Sequence, residues 1–207
     1  MMLDCLLMAI AEIHDAVLTP SKMELLGAWL PRQRWFGSKP PQELARCRFV
    51  NPGGEVGIEM FLVRAGDHIY HVPLTYRGSP LEVAESFLVG TMQHSVLGTR
   101  YIYDAVGDPA YALELARTIV DADHEAGQSK GSPSLHVVGS GAKSLGNVQP
   151  ASTSDDRITL VGPSGRYELE ITREVTPTTA TDGALGRLVG RWGECTCDAV
   201  LAVLRDA

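Results

Sequence analysis

Arg32, Arg34 and Lys39 stand beside Trp35 and Phe36 in one short segment. Guanidinium groups next to aromatic faces suit recognition of an anion, a sugar or a protein. The same residues have a structural use, with Trp35 and Phe36 plugging a sheet while the cations stay solvated, and large aromatics usually serve burial. Tyr101 and Tyr103 are two apart, which on a strand aims both at one face, and Asp104 follows where the chain turns. Their structural use is core packing with the hydroxyls satisfied at the rim. Arg32, Arg34, Trp35, Lys39, Tyr101 and Tyr103 are the candidate binding residues. No residue is assigned a catalytic role.

Four other groupings imitate sites without completing them. Gly139-Ser140-Gly141-Ala142-Lys143-Ser144-Leu145-Gly146 resembles a phosphate loop, yet Ala142 stands where such a loop needs glycine and no strong helix follows. His68 and His71 are three apart and face opposite sides of a strand, which excludes joint metal binding. Cys195 and Cys197 lack a third and fourth ligand nearby in sequence. His94-Ser95 with the later Asp104 suggests a triad, but no nucleophile elbow surrounds Ser95. The expectation is a chain without metal or cofactor.

Several elements must position these residues. Thr19-Pro20 and the Ser21–Glu24 capping box both signal a helix start, and Met23, Leu26 and Leu30 share one face before Pro31 ends it. Three alternating runs follow. In the first, Ala45, Cys47 and Phe49 alternate with Arg46 and Arg48. In the second, Ile58, Met60 and Leu62 alternate with Glu59 and Phe61. Residues 69–76 form the third. Tight polar turns at 51–54 and 65–67 make these an antiparallel meander. Shorter strands are expected at 89–92 and 100–105 around a bend at 94–98, and Asp108-Pro109 opens a second helix. Residues 125–156 are rich in Gly and Ser and read as a loop or linker, broken only by a β-like patch at 135–138. A hairpin is expected at 158–161 and 167–172. The tail at 185–192 and 199–205 reads as another, although 199–204 suits a helix as well.

A hydrophobic fraction of 44% and a charged fraction of 21% allow a real core in this 207-residue chain. The net charge of −7 disfavours nucleic acid and anionic membrane as partners. No stretch approaches the ~20 apolar residues that cross a bilayer. The apolar N-terminus carries Asp4 and no basic segment, so a secretory signal is not expected, and Met1 and Met8 are both candidate starts. Cys5, Cys47, Cys195 and Cys197 show no disulfide framework, and a cytoplasmic location with reduced thiols is expected.

The run 25–39, ending Arg34-Trp35-Phe36-Gly37-Ser38-Lys39, is similar to the opening of maltokinases and related sugar kinases. Tyr70-His71-Val72-Pro73-Leu74-Thr75-Tyr76-Arg77 and the stretch 89–105 resemble the same N-terminal cap. Maltokinases phosphorylate maltose with ATP and magnesium, through a phosphate-holding lysine, a hydroxyl-orienting aspartate and metal ligands. Here Tyr167-Glu168-Leu169-Glu170-Ile171-Thr172-Arg173 takes the place of the lysine-bearing strand and offers glutamates, which repel phosphate. The family's catalytic residues have no counterparts to be carried onto. The missing catalytic residues point to a non-enzymatic module, and the order of elements to an α+β fold: a curved, mainly antiparallel sheet of about six or more strands with a few helices and a C-terminal β-hairpin region. The expected division is a cap-like domain (1–124), a flexible loop or linker (125–157) and a β-rich segment (158–207) packed on or extending the cap sheet. The leading expectation is an interaction or regulatory module with a protein partner or carbohydrate ligand of α-glucan, trehalose or maltose metabolism. The alternatives are a sugar- or anion-binding protein and the cap half of a split kinase.

Overall fold

Among the described residues, fourteen strands and two α-helices follow one another along the chain. They are β1 (Ile10–Ala11), β2 (Leu18–Thr19), α1 (Lys22–Trp29), β3 (Gln42–Val50), β4 (Gly57–Ala65), β5 (His68–Arg77), β6 (Leu88–His94), β7 (Gly98–Asp104) and α2 (Pro109–Val120). The second half follows with β8 (Gly127–Gln128), β9 (Leu135–Gly139), β10 (Gln149–Ser154), β11 (Arg157–Gly162), β12 (Gly165–Ile171), β13 (Gly186–Trp192) and β14 (Ala199–Asp206). The computed structural model describes residues 9–37, 39–51, 53–54, 56–176, 182–193 and 198–207. The Cys195–Cys197 pair, Cys5, Pro52 of the expected first turn and the start at Met1 or Met8 lie outside the described residues.

The expected α+β fold with antiparallel sheet is present. One six-stranded sheet runs in the order β2-β6-β7-β5-β4-β3 and a second in the order β10-β11-β12-β14-β13-β9, while β1 and β8 form a small parallel pair. β3, β4 and β5 are the expected meander, paired as Cys47↔Met60 and Phe61↔Val72. Gly66 closes one of its turns at φ +65°, a conformation that glycine adopts without strain. The two hairpins expected in the C-terminal segment both form, and 199–206 is a strand rather than a helix.

Helix starts follow local chemistry. Ser21 caps α1 with the reciprocal Glu24 box, whereas Thr19 pairs with Gln93 in β6 and caps nothing. Asp108 caps α2, with Pro109 in its first turn. α2 lies between the two sheets. Its Tyr111, Leu115 and Ile119 share one core with Cys47, Met60 and Leu62 of the first sheet and Leu160, Leu169 and Leu204 of the second. α1 covers the first sheet's other face, where Leu26, Trp29 and Leu30 pack on Phe61, Val63, Val72 and Ile102. The middle of the first sheet is therefore buried on both sides, which explains why Ile58–Val63 is apolar except for Glu59.

The segment 125–157 differs from a linker. It supplies β8, β9 and β10, and Leu135, Val137, Leu145 and Val148 are buried. Its glycines partly serve packing. A Cβ on Gly139 would sit 1.9 Å from the Thr118 carbonyl oxygen, so only glycine lets β9 meet the end of α2.

A cationic cleft as candidate ligand-binding site

The ladder registers place one set of polar side chains on the α1 side of the first sheet. Arg48 is opposite Glu59, Tyr76 opposite Ile102 and Met92 opposite Arg100. Two-residue alternation puts Arg46, Glu59, Tyr76, Arg100 and His94 on that same face. Lys22, the first residue of α1, reaches down to it.

Residues 12–17 form a strap across this region. The Ile13 N–H donates to Ser129 Oγ at 2.8 Å, the Val17 N–H donates to Ser95 Oγ at 3.0 Å, and Lys130 pairs with Asp15. Under the strap lies a cleft of about 800 Å³ whose walls include Lys22, Arg46, Arg48, Tyr76, His94 and Arg100. That size suits a small organic ligand, since such sites run from roughly 300 to 1,000 Å³.

Glu59 lies behind the cleft wall and organises it. Its side chain is 1% exposed, and it takes the Lys22 ammonium and, at 2.8 Å, the Tyr76 hydroxyl on Oε2. Its Oε1 is 3.4 Å from Arg48 and 3.9 Å from Arg46, and no hydrogen bond reaches it. Burial alone would raise the Glu59 carboxyl, but Lys22 and Arg48 outweigh it and hold the group below its ordinary value. Burial lowers Lys22, opposed by Glu59, and burial raises the Tyr76 phenol, helped by the Glu59 charge. The Lys22 ammonium also sits 5.2 Å from the centre of the Tyr76 ring. Burial, then His14, Arg100 and Lys22, lowers His94.

A second polar cluster joins the sheets. Arg173, 4% exposed, donates from Nε to Asp156 and from Nη2 to Asp104, each at 2.6 Å. Burial raises Asp104 despite the arginine. Burial and then Arg173 push His71 down to about 3, so its ring is neutral in the folded chain. The carbonyls of Thr172 and Leu201 favour the protonated ring less strongly, and neither ring nitrogen makes a hydrogen bond.

The six residues singled out from sequence stand apart from the cleft. Arg32, Arg34 and Lys39 are exposed, with Arg34 3.6 Å from Asp155. Trp35 is half-buried among Trp29, Phe36 and Tyr70. Tyr101 and Tyr103 lie on the opposite face from Arg100 and Ile102, and the Tyr103 hydroxyl accepts the Leu81 N–H at 2.8 Å. None of the six lines the cleft.

The imitation sites are accounted for as well. In the phosphate-like loop, the N–H groups of Gly141 and Ala142 donate to Ile119 and Val120 at the end of α2, so they do not cradle an anion. The His94 Nδ1 accepts from Val96 and Leu97, Ser95 holds the strap and Asp104 holds Arg173, so no triad assembles. Glu168 lies 2.9 Å and Glu170 3.5 Å from Arg157. Among the described residues no group of three or more His, Cys, Asp or Glu is placed to hold a metal ion. No described helix is long and apolar enough to cross a membrane.

The cleft's floor is built by β3 to β7, between the end of α1 and the cap of α2. That segment carries the family signature. Residues 29–108 match the maltokinase N-terminal cap domain. The match spans less than half of the chain, and no kinase domain family is detected. The matched segment contributes Arg46, Arg48, Glu59, Tyr76, His94 and Arg100, whereas Lys22 and the strap precede it and the second sheet follows it. No curated protein matches the chain.

Sequence reasoning registered the alternation of Arg46 and Arg48 with apolar neighbours but assigned it no site. The available signal was Glu59, the one charge inside an apolar run, which follows Arg46 and Arg48 across a turn.

Proposed function

We propose that this chain is a non-catalytic cap-type module that holds a carbohydrate-sized ligand in the cleft, in the cytoplasm, within α-glucan, trehalose or maltose metabolism. The observation that carries the ligand reading is the cleft itself: about 800 Å³, with Lys22, Arg46, Arg48, Arg100 and Tyr76 on its walls and Glu59 fixing Lys22, Arg48 and Tyr76. Non-catalysis is supported by the cap-domain match, the glutamates of β12 and the occupied amides of the 139–146 loop. The metabolic link comes from the family of the cap domain.

The test incubates the purified chain with ATP, magnesium and maltose, glucose or glucosamine, and separately follows its thermal midpoint with sugars and sugar phosphates. The expected result is no phosphoryl transfer and a midpoint raised by at least one ligand. Turnover that survives repurification would contradict non-catalysis, and an unmoved midpoint throughout would contradict the cleft reading. A second reading, docking of a protein partner, is favoured by Val17, Val96 and Leu97, which are exposed at the cleft's rim where the strap meets the β6–β7 turn.

A further inference from the structure

We propose that the cleft selects a phosphorylated small molecule over its neutral counterpart, with the phosphate drawn to Arg48, Arg100 and Lys22. The proposal rests on the reading of the cleft as a ligand site and names the chemistry of its ligand.

Charge pairing leaves a surplus at this place. The chain as a whole is −7, yet the cleft walls gather Lys22, Arg46, Arg48 and Arg100 against Glu12 and Glu43. Lys22 is matched by Glu59, and Arg46 has Glu43 at 3.5 Å. Among the described residues Arg48 has only a share of Glu59, at 3.4 Å. Among the described residues Arg100 has no carboxylate partner. One of its nitrogens donates to the Leu97 carbonyl at 2.8 Å, and its Nε is buried without an acceptor. A guanidinium without a carboxylate partner is left uncompensated, and an oxyanion in the cleft supplies the missing charge.

The cations also oppose one another. Arg48 and Arg46 disfavour the Lys22 charge, and His14, Arg100 and Lys22 disfavour a charge on His94. A phosphate placed among them relieves that repulsion. The first turn of α1 adds to the field, because Ser21, Lys22 and Met23 line the cleft. Phosphate alone would leave most of about 800 Å³ empty. Tyr76, Met23, Met92 and Leu18 supply the surface for an organic body such as a sugar ring.

Glu59 acts as a positioning residue. It does not line the cleft, but its buried carboxylate fixes the heads of Lys22 and Arg48.

Calorimetric titration of the full chain with glucose 6-phosphate, glucose and inorganic phosphate, at low and high salt, tests the proposal. Glucose 6-phosphate should bind at least ~10-fold more tightly than glucose, as one charge-assisted hydrogen bond implies. Its affinity should fall with salt, and inorganic phosphate should compete with it. Arg48→Gln and Arg100→Gln should each weaken glucose 6-phosphate binding about 10-fold, whereas Arg34→Gln, outside the cleft, should bind as wild type. Should either variant fail to fold, the wild-type salt dependence still decides. Equal, salt-independent binding of glucose and glucose 6-phosphate overturns phosphate selection and leaves the cleft as a sugar site. Absence of binding by all three probes overturns both.

Discussion

The guanidinium carbon of Arg173 lies 4.7 Å from the centre of the Trp35 ring. Trp35 belongs to the loop between α1 and β3, and Arg173 follows β12 of the second sheet. The contact therefore joins the aromatic cluster of Trp29, Phe36 and Tyr70 to the buried pair of Arg173 with Asp104.

Removing Trp35 should be felt across that junction. Trp35→Ala should lower stability by about 2–4 kcal/mol, somewhat below the range for fully buried aromatics because the ring is half-buried. Arg34→Ala should cost less than ~0.5 kcal/mol, since its side chain is 91% exposed and its pairing with Asp155 is screened. Urea unfolding of both variants checks this. Equal, negligible shifts would move the loop from a packing to a recognition role.

Asp104 is the partner Arg173 cannot lose without cost. Asp104→Ala leaves a buried guanidinium short of a carboxylate and should destabilise by about 3–5 kcal/mol. In an Arg173→Met background the same change should cost much less. Additive losses in the double-mutant cycle would show that the two residues act separately.

His71 links the interior to pH. Its folded value of about 3 lies below the ordinary 6.5, so the unfolded chain binds the proton first as pH falls. Its contribution is present above pH 6.5 and is lost progressively from there down to about pH 3. Between pH 6.5 and 5 the loss should be about 2 kcal/mol. His71→Gln should show a flatter fall of unfolding free energy over that interval. Parallel wild-type and variant curves would place the acid sensitivity elsewhere.

What the sequence disclosed was mostly local. The Ser21–Glu24 box, Asp108-Pro109 and the alternation in β3 and β4 report on neighbours a few residues apart, so pattern alone finds them. Residues 125–157 hide their structure because Leu135, Val137, Leu145 and Val148 are dispersed among glycines and serines and are buried only through distant partners. The cleft was hidden for the same reason. Arg48, Glu59, Tyr76 and Arg100 come from four strands, and Lys22 and the strap come from before them, so only register brings them together. The loop from Arg32 to Lys39 drew notice because its residues are adjacent, yet adjacency placed its cations in solvent.

Backbone amide NMR of the full chain during titration with glucose 6-phosphate decides whether the cleft beneath residues 12–17 is the ligand site. Saturable shifts are expected to concentrate at Ile13, Lys22, Arg48, Tyr76, His94 and Arg100, with the amides of β10 to β14 unmoved. Shifts confined to residues 32–39, or none at all at saturating ligand, would contradict it.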